Sequence, residues 1–363
     1  WLAYEYQWQD VYYYMMGMTL VAVLVVLVTM PYHDYGSRRF PITFSMFGSV
    51  AVFCAMMTCG VYVLVYGKTL DWFADPTIVR SAVLTVIFAV VFVRMELTHR
   101  SPYFLMDIFR LRTVNVGIVL FMLLMVFNTS SMFVNVFTGV GMNIDNWQNA
   151  SLGNWSMLGY FIGAVIAIAL GSKGVRLKYL FGIGFMLIGV SALFMYFEVQ
   201  TAGLYERMKY PVVIRSVGMM LIYSLTAVYA NQRMPYKYLS TWICIMLSVR
   251  MVIGPGIGSA VYSNVLQQRQ QHYVTLLADD IDRVDTRSAG DYDRTVSGMC
   301  LQGRSMVEAE RMAATSAKGK VQVQATLSAV KEMSGWTFYG CMISMLFVLI
   351  YPYKKRKLSA WRD

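Results

Sequence analysis

Apolar positions in this chain gather into long runs separated by short polar stretches. Nine runs stand out: Val11–Met30, Ile42–Tyr66, Thr77–Met95, Val114–Thr138, Asn149–Leu170, Tyr179–Phe197, Tyr210–Ala230, Tyr238–Tyr262 and Gly335–Tyr351. Each is long enough, or nearly so, to cross a bilayer, which takes about 20 residues of helix. None alternates with a period of two, so strands of a membrane barrel are not expected. A helix satisfies its own backbone groups in lipid. The pattern therefore predicts an all-α polytopic membrane protein with nine transmembrane helices.

The polar stretches set a direction. If the runs cross alternately, one side receives Arg38, Arg39, Arg94, Arg100, Arg110, Arg112, Lys173, Arg176, Lys178, Arg233, Lys237, Lys354, Lys355, Arg356, Lys357 and Arg362. The short connectors of the other side hold Lys68, Arg207 and Lys209. The positive-inside rule makes the first side cytoplasmic, so the chain starts outside and its C-terminus is cytoplasmic. The first residue is Trp rather than Met, and no signal peptide is visible. A start outside predicts that an odd number of earlier spans precedes it. The segment 263–334 is the one long outer loop, and its nine basic residues balance nine acidic ones. Two helical stretches are expected in it, Val265–Val284 and Thr295–Met333, folded into a hairpin by a break at Ser288–Asp291 and interrupted near Gly319.

Composition agrees. Of the 363 residues 57% are hydrophobic and 14% charged, against roughly 25% charged in a soluble domain. A disordered chain and an ordinary soluble globule are excluded. The net charge of +11 sits at one membrane face, which removes the case for nucleic acid as a partner. Membrane lipid is the expected surroundings. The five Cys form neither a disulfide framework nor a metal-ligand spacing. No glycine-rich phosphate loop and no Ser/His/Asp arrangement is evident, so neither an ATP-driven pump nor an enzyme is indicated.

Several stretches resemble one family. Tyr66-Gly67-Lys68-Thr69-Leu70-Asp71-Trp72-Phe73-Ala74-Asp75-Pro76 is similar to a short outer turn of the 14-span drug:proton antiporters, the EmrB/QacA-type members of the major facilitator superfamily. Glu96, Pro102, Leu105, Asp107, Phe109, Arg110 and Arg112 resemble its connector before span nine. Arg250, Gly254, Ile257, Gly258 and Ala260 resemble its span thirteen, and Trp1 and Trp8 its loop before span six. Gln9 departs from the pattern. So does Gly171-Ser172-Lys173-Gly174-Val175-Arg176-Leu177-Lys178, a worn form of the superfamily's cytoplasmic gating turn that keeps Gly171, Arg176 and Lys178 but lacks the acid.

The resemblance implies a major-facilitator-like helical bundle of which spans six to fourteen are present. Residues 1–30 would hold the last helix of the N-terminal bundle. Residues 31–113 would be a cytoplasmic connector and an inserted two-helix hairpin. Residues 114–363 would form the C-terminal six-helix bundle, with a periplasmic helical loop at 263–334. It also implies a proton-coupled exporter of multidrug type, moving amphiphilic or cationic organic compounds across a bacterial inner membrane. No cofactor is expected beyond the proton gradient. The implied partners are a small-molecule substrate and, as in tripartite exporters, a periplasmic adaptor and outer-membrane channel. A non-transporting scaffold or regulator of the same fold stays open as an alternative. So does a carrier of lipids, siderophores or other small solutes.

The nine runs contain no Asp, Glu or His, so no proton carrier is expected in this chain; one would lie in the spans that precede it. Asn128, Ser131 and Asn135 recur at i, i+3 and i+7, one face of a helix. They are expected to line a wet cavity, with interhelical bonding as the alternative. Tyr160, Phe161 and Tyr223 would supply aromatic walls. Arg250 lies at the middle of its run, where it serves either the cavity or a structural tether. Arg215, nearer the end of its run, is expected to snorkel. Gly254, Pro255, Gly256 and Gly258 should break their helix, as a hinge or as a packing kink.

Overall fold

A computed structural model of the chain describes residues 7–29, 44–99, 102, 104–173, 175–200, 203–231, 234–279 and 286–351. Among these residues there is no strand, and nine helices are long and apolar enough to cross a membrane. The protein is an all-α, multi-pass membrane protein. The connector residues Arg38, Arg39, Arg100 and Arg233 and the tail from Lys354 to Arg362 lie outside the described residues.

The chain divides into two units, Trp1–Met46 and Phe47–Asp363. The first holds α1 (Trp8–Thr29), none of whose residues is buried. From Val11 onward it carries no charged residue, as a membrane-spanning helix requires.

The second unit begins with a helical hairpin, α2 (Phe44–Tyr66) and α3 (Pro76–Thr98). Its tight turn carries Asp71 and Trp72 at φ 50° and 55°, a left-handed backbone that costs a bulky residue energy. Trp72 is held there by its indole N–H, which donates to Asn264 Oδ1 at 3.0 Å. Asp75 caps α3 by accepting from the Thr77 N–H at 2.6 Å, and Pro76 takes the first helical position, where no donor is needed. The Thr77 hydroxyl, with its N–H, holds the exposed Asp75 carboxyl below the ordinary aspartate range. The cap's contribution is thus fully present above the ordinary aspartate range and is lost as pH falls below it, through the depressed value.

At the other end of the hairpin Glu96 is buried, 3% exposed, and its Oε2 accepts the Phe104 N–H at 3.0 Å. The next amide, Leu105, donates to Thr241 Oγ1 at 3.2 Å. Phe53, Phe92 and Phe104 close over this point with ring centroids 5.1, 5.7 and 6.4 Å apart. The connector that resembles the antiporter motif is therefore a latch between α3 and the helix beginning at Leu239.

The remaining elements are α4 (Arg112–Asn128), α5 (Ser131–Val136), α6 (Asn146–Ser172), α7 (Leu177–Glu198), α8 (Lys209–Asn231), α9 (Leu239–Ser248), α10 (Gly254–Asp279), α11 (Thr286–Leu301) and α12 (Met306–Ile350). A π-helical turn, Phe137–Gly141, follows α5, and a second, Val249–Ile253, joins α9 to α10. One buried cluster centres on Phe121, Phe181, Phe185 and Trp242. Another centres on Phe133, Phe137, Tyr262 and Val330.

Small residues let these helices meet closely. A Cβ on Gly163 would stand 2.7 Å from the Val217 carbonyl oxygen and 2.9 Å from Met220 Cβ, so α6 lies directly on α8. Likewise a Cβ on Gly254 or Gly258 would come within 2.4 Å of Met125 Cβ or Thr129 Oγ1 respectively. Gly254-Pro255-Gly256-Ile257-Gly258 does not break the helix. Pro255 offers no N–H to the preceding turn, and the chain answers by widening that turn: the Gly254 N–H reaches back to the Val249 carbonyl.

The segment 263–334 differs in detail from expectation. Ser288–Asp291 lies inside α11, and α12 runs unbroken past Gly319 for 45 residues, about 67 Å at 1.5 Å per residue. The second predicted helix is divided instead at 302–305. There Gly303 takes φ +84°, a conformation glycine adopts without strain. Ser305 then caps α12 by accepting the Glu308 N–H at 3.4 Å, half of a Ser-x-x-Glu capping box. Val296 packs on Ala309 and Ala313 across the resulting hairpin. The stretch from Val265 continues α10 to Asp279, and 280–284 lies outside the described residues.

Gly163→Ala is expected to destabilise the protein by about 1–3 kcal/mol, because the backbone it meets cannot yield. Gly153→Ala, on the same helix with nothing within 4 Å of the new Cβ, should be neutral. Thermal unfolding in detergent of the two variants checks the pair; equal melting temperatures would contradict the close α6–α8 contact.

Candidate functional site

The helix that carries Asn128 is not uniform. The Thr129 N–H is shared between the Met125 and Val126 carbonyls, at 3.2 and 3.1 Å, and the Ser130 N–H bonds the Phe127 carbonyl at 3.2 Å. The turn tightens here and then loosens into the π turn at Phe137. Positions that an even helix would stack on one face are consequently directed to different neighbours.

Asn128, the last residue of α4, is bonded to α8. Both its backbone carbonyl and its Oδ1 accept from one terminal nitrogen of Arg215, each at 3.1 Å. Asn135, in α5, is bonded to α6: its Oδ1 accepts from Asn149 Nδ2 at 3.4 Å, while the buried Thr138 hydroxyl donates to Asn149 Oδ1 at 3.0 Å. Ser131 sits half-buried between the two. The three residues thus lie on one stretch of chain but engage two different helices.

Tyr160 and Phe161 occupy α6 beside its glycine contact with α8, and both are exposed. Tyr160 lies within electrostatic range of Arg215. Tyr223, on α8, packs edge-on against Phe121 with centroids 5.7 Å apart. The Arg250 guanidinium lies over the Tyr223 ring, 4.5 Å from its centroid, and donates to the Tyr223 hydroxyl. Arg250 itself stands in the π turn Val249–Ile253; such turns recur at functional sites.

Two arginine-centred clusters therefore line α8. Arg215 holds Asn128; Arg250 holds Tyr223, which packs on Phe121. Arg215 and Tyr223 are eight residues apart on the helix, about 12 Å of rise. Among the described residues the ion pairs are Asp107–Arg110, Glu198–Arg207, Glu206–Lys209 and Arg269–Glu332, and none involves either arginine. Arg215 Nε is buried with no acceptor. An arginine at the bilayer centre costs about 2.5–3.5 kcal/mol on insertion scales, and an unsatisfied buried donor adds about 1–3 kcal/mol. Bonds to neutral groups offset part of this.

Arg215 does not snorkel. Its neighbours Val212, Ser216, Val217 and Met219 are all buried, so the helix turns this side chain inward. Distance from the end of the run pointed the wrong way. The better signal was Ser216 and Gly218 flanking it, since small residues mark where neighbouring helices approach.

The stretch from Gly171 to Lys178 is simple in form. α6 ends at Ser172, Arg176 stands before α7, and Gly174 lies outside the described residues. Gly171 has open space around it. Lys178 lies over the Tyr179 ring at 4.9 Å, and no ion pair joins Arg176 or Lys178 to an acid among the described residues. No grouping of His, Cys, Asp or Glu there is arranged to hold a metal ion.

No protein-family model matches the chain, and no curated protein matches it either.

Asn128 and Arg215 should be energetically coupled. In a double-mutant cycle on thermal stability, Asn128→Ala with Arg215→Gln is expected to depart from additivity by about 0.5–3 kcal/mol. Asn135→Ala with Arg215→Gln should be additive. Additivity in both cycles would contradict the contact.

Proposed function

We propose that this protein is a secondary transporter, with α4, α6, α8 and the α9–α10 helix forming the wall along which a solute passes. The observation that carries this reading is the placement of two arginines within the spans, bonded to neutral groups and to no acid. A purely structural span avoids that cost. Intramembrane ionisable residues mark substrate paths and relays far more often than lipid-facing surface.

The resemblance set out above extends the proposal to a proton-coupled exporter of the major facilitator type, in a bacterial inner membrane with its C-terminus in the cytoplasm. Transport would proceed by rocking of helical bundles about the site. Asp and Glu are absent from the nine apolar runs, so the proton-carrying acid would come from elsewhere in the carrier. The outer hairpin of α11 and α12 is the surface to which a periplasmic adaptor would bind.

A scaffold that kept the fold is the second reading. It is favoured by one contact, the Arg215 bond to the Asn128 backbone carbonyl, which is a tether in its own right. Export measured in cells producing the protein separates the two. Asn128→Ala, Asn135→Ala and Arg250→Gln are each expected to lower export by about tenfold, with membrane levels unchanged. Export that is unaffected in all three variants would overturn the assignment of this wall.

A further inference from the structure

The charge of the wall names a substrate class, and this inference rests on the transport reading. We propose that the α8 site takes an amphiphilic organic anion, a carboxylate, sulfonate or phosphate on an apolar body, rather than a cation.

The argument begins with the balance of charge at depth. Every one of the 20 acidic residues lies outside the nine apolar runs, whereas Arg215 and Arg250 lie within two of them, more than one helical turn from either end. An organic cation entering this wall would find no carboxylate in it. It would meet two guanidinium groups instead, in surroundings where like charges repel far more strongly than in water.

The arginines also have donors to spare. A guanidinium carries five N–H groups in a planar fork. Arg215 engages one terminal nitrogen with Asn128, and its Nε is buried without an acceptor. Among the described residues Arg250 meets a neutral phenol, through its hydroxyl and its ring face. A fork of this kind matches two oxygens of one oxyanion. The apolar body has its place on α6, which packs on α8 and leaves the Tyr160 and Phe161 rings exposed.

The test uses the purified 363-residue chain in lipid nanodiscs. Two probes of one shape and opposite charge, 2-naphthalenesulfonate and 2-naphthyltrimethylammonium, are titrated against it, and binding is read by calorimetry. The sulfonate is expected to bind at least about tenfold tighter. The preference should vanish in Arg215→Gln and Arg250→Gln and persist in part in Arg215→Lys and Arg250→Lys, which keep the charge but lose the fork. If a glutamine variant does not fold, its lysine counterpart decides, retained preference supporting the proposal and lost preference contradicting it. Equal binding of the two probes, tighter binding of the ammonium, no binding of either, or a preference that survives both glutamine changes would each overturn it. Cellular export of the same probes separates this proposal from the one it rests on. Sulfonate that binds but is never exported would remove the transport reading and leave the anion site. Export of the ammonium without sulfonate binding would do the reverse.

Discussion

Lipid offers no hydrogen bond to a peptide group, so each span must close its own. That constraint explains both the regular parts of this protein and where it departs from regularity. The backbone stays helical through Pro255 because the preceding turn widens until the Gly254 N–H finds the Val249 carbonyl. After α5 the Met142 N–H likewise reaches the Phe137 carbonyl at 3.1 Å. The polar side chains cluster at these irregular turns. Asn128 ends α4 beside the tightened turn, Thr138 lies in one π segment and Arg250 in the other. A change of pitch redirects side chains that a uniform helix would stack, and it is what separates Asn128 from Asn135.

Packing and polarity then divide the work. Van der Waals contact through Gly163, Gly254 and Gly258 brings the helices close enough for buried polar groups to find partners. At the end of the α2–α3 hairpin away from its turn, Glu96 performs a related task, accepting one connector amide while its second oxygen stays buried without a partner among the described residues.

Much of the fold was legible in the sequence, because greasy runs about 20 residues long have few alternatives in lipid. Less legible were the details that rest on single contacts. The turn before α12 is announced by Ser305 and Glu308, a capping signal that outranks the polar stretch at Ser288–Asp291. Spacing alone grouped Asn128, Ser131 and Asn135, since it assumes a constant pitch that the turn at Thr129–Ser130 does not keep. Arg215 was hidden by its place near the end of a run. Which way such a side chain turns depends on what its helix buries, and that is a tertiary property. Arg250 was visible as a charge at depth, but its tyrosine partner 27 residues earlier in the chain was not.

The central claim is that the helices cross the bilayer alternately. Single cysteines placed at Thr69, Asp107 and Gln200 in an otherwise cysteine-free protein, labelled with a membrane-impermeant maleimide in intact cells and in inverted vesicles, test it most directly. Thr69 and Gln200 should react from one side and Asp107 from the other. Labelling of all three from the same side would contradict the account.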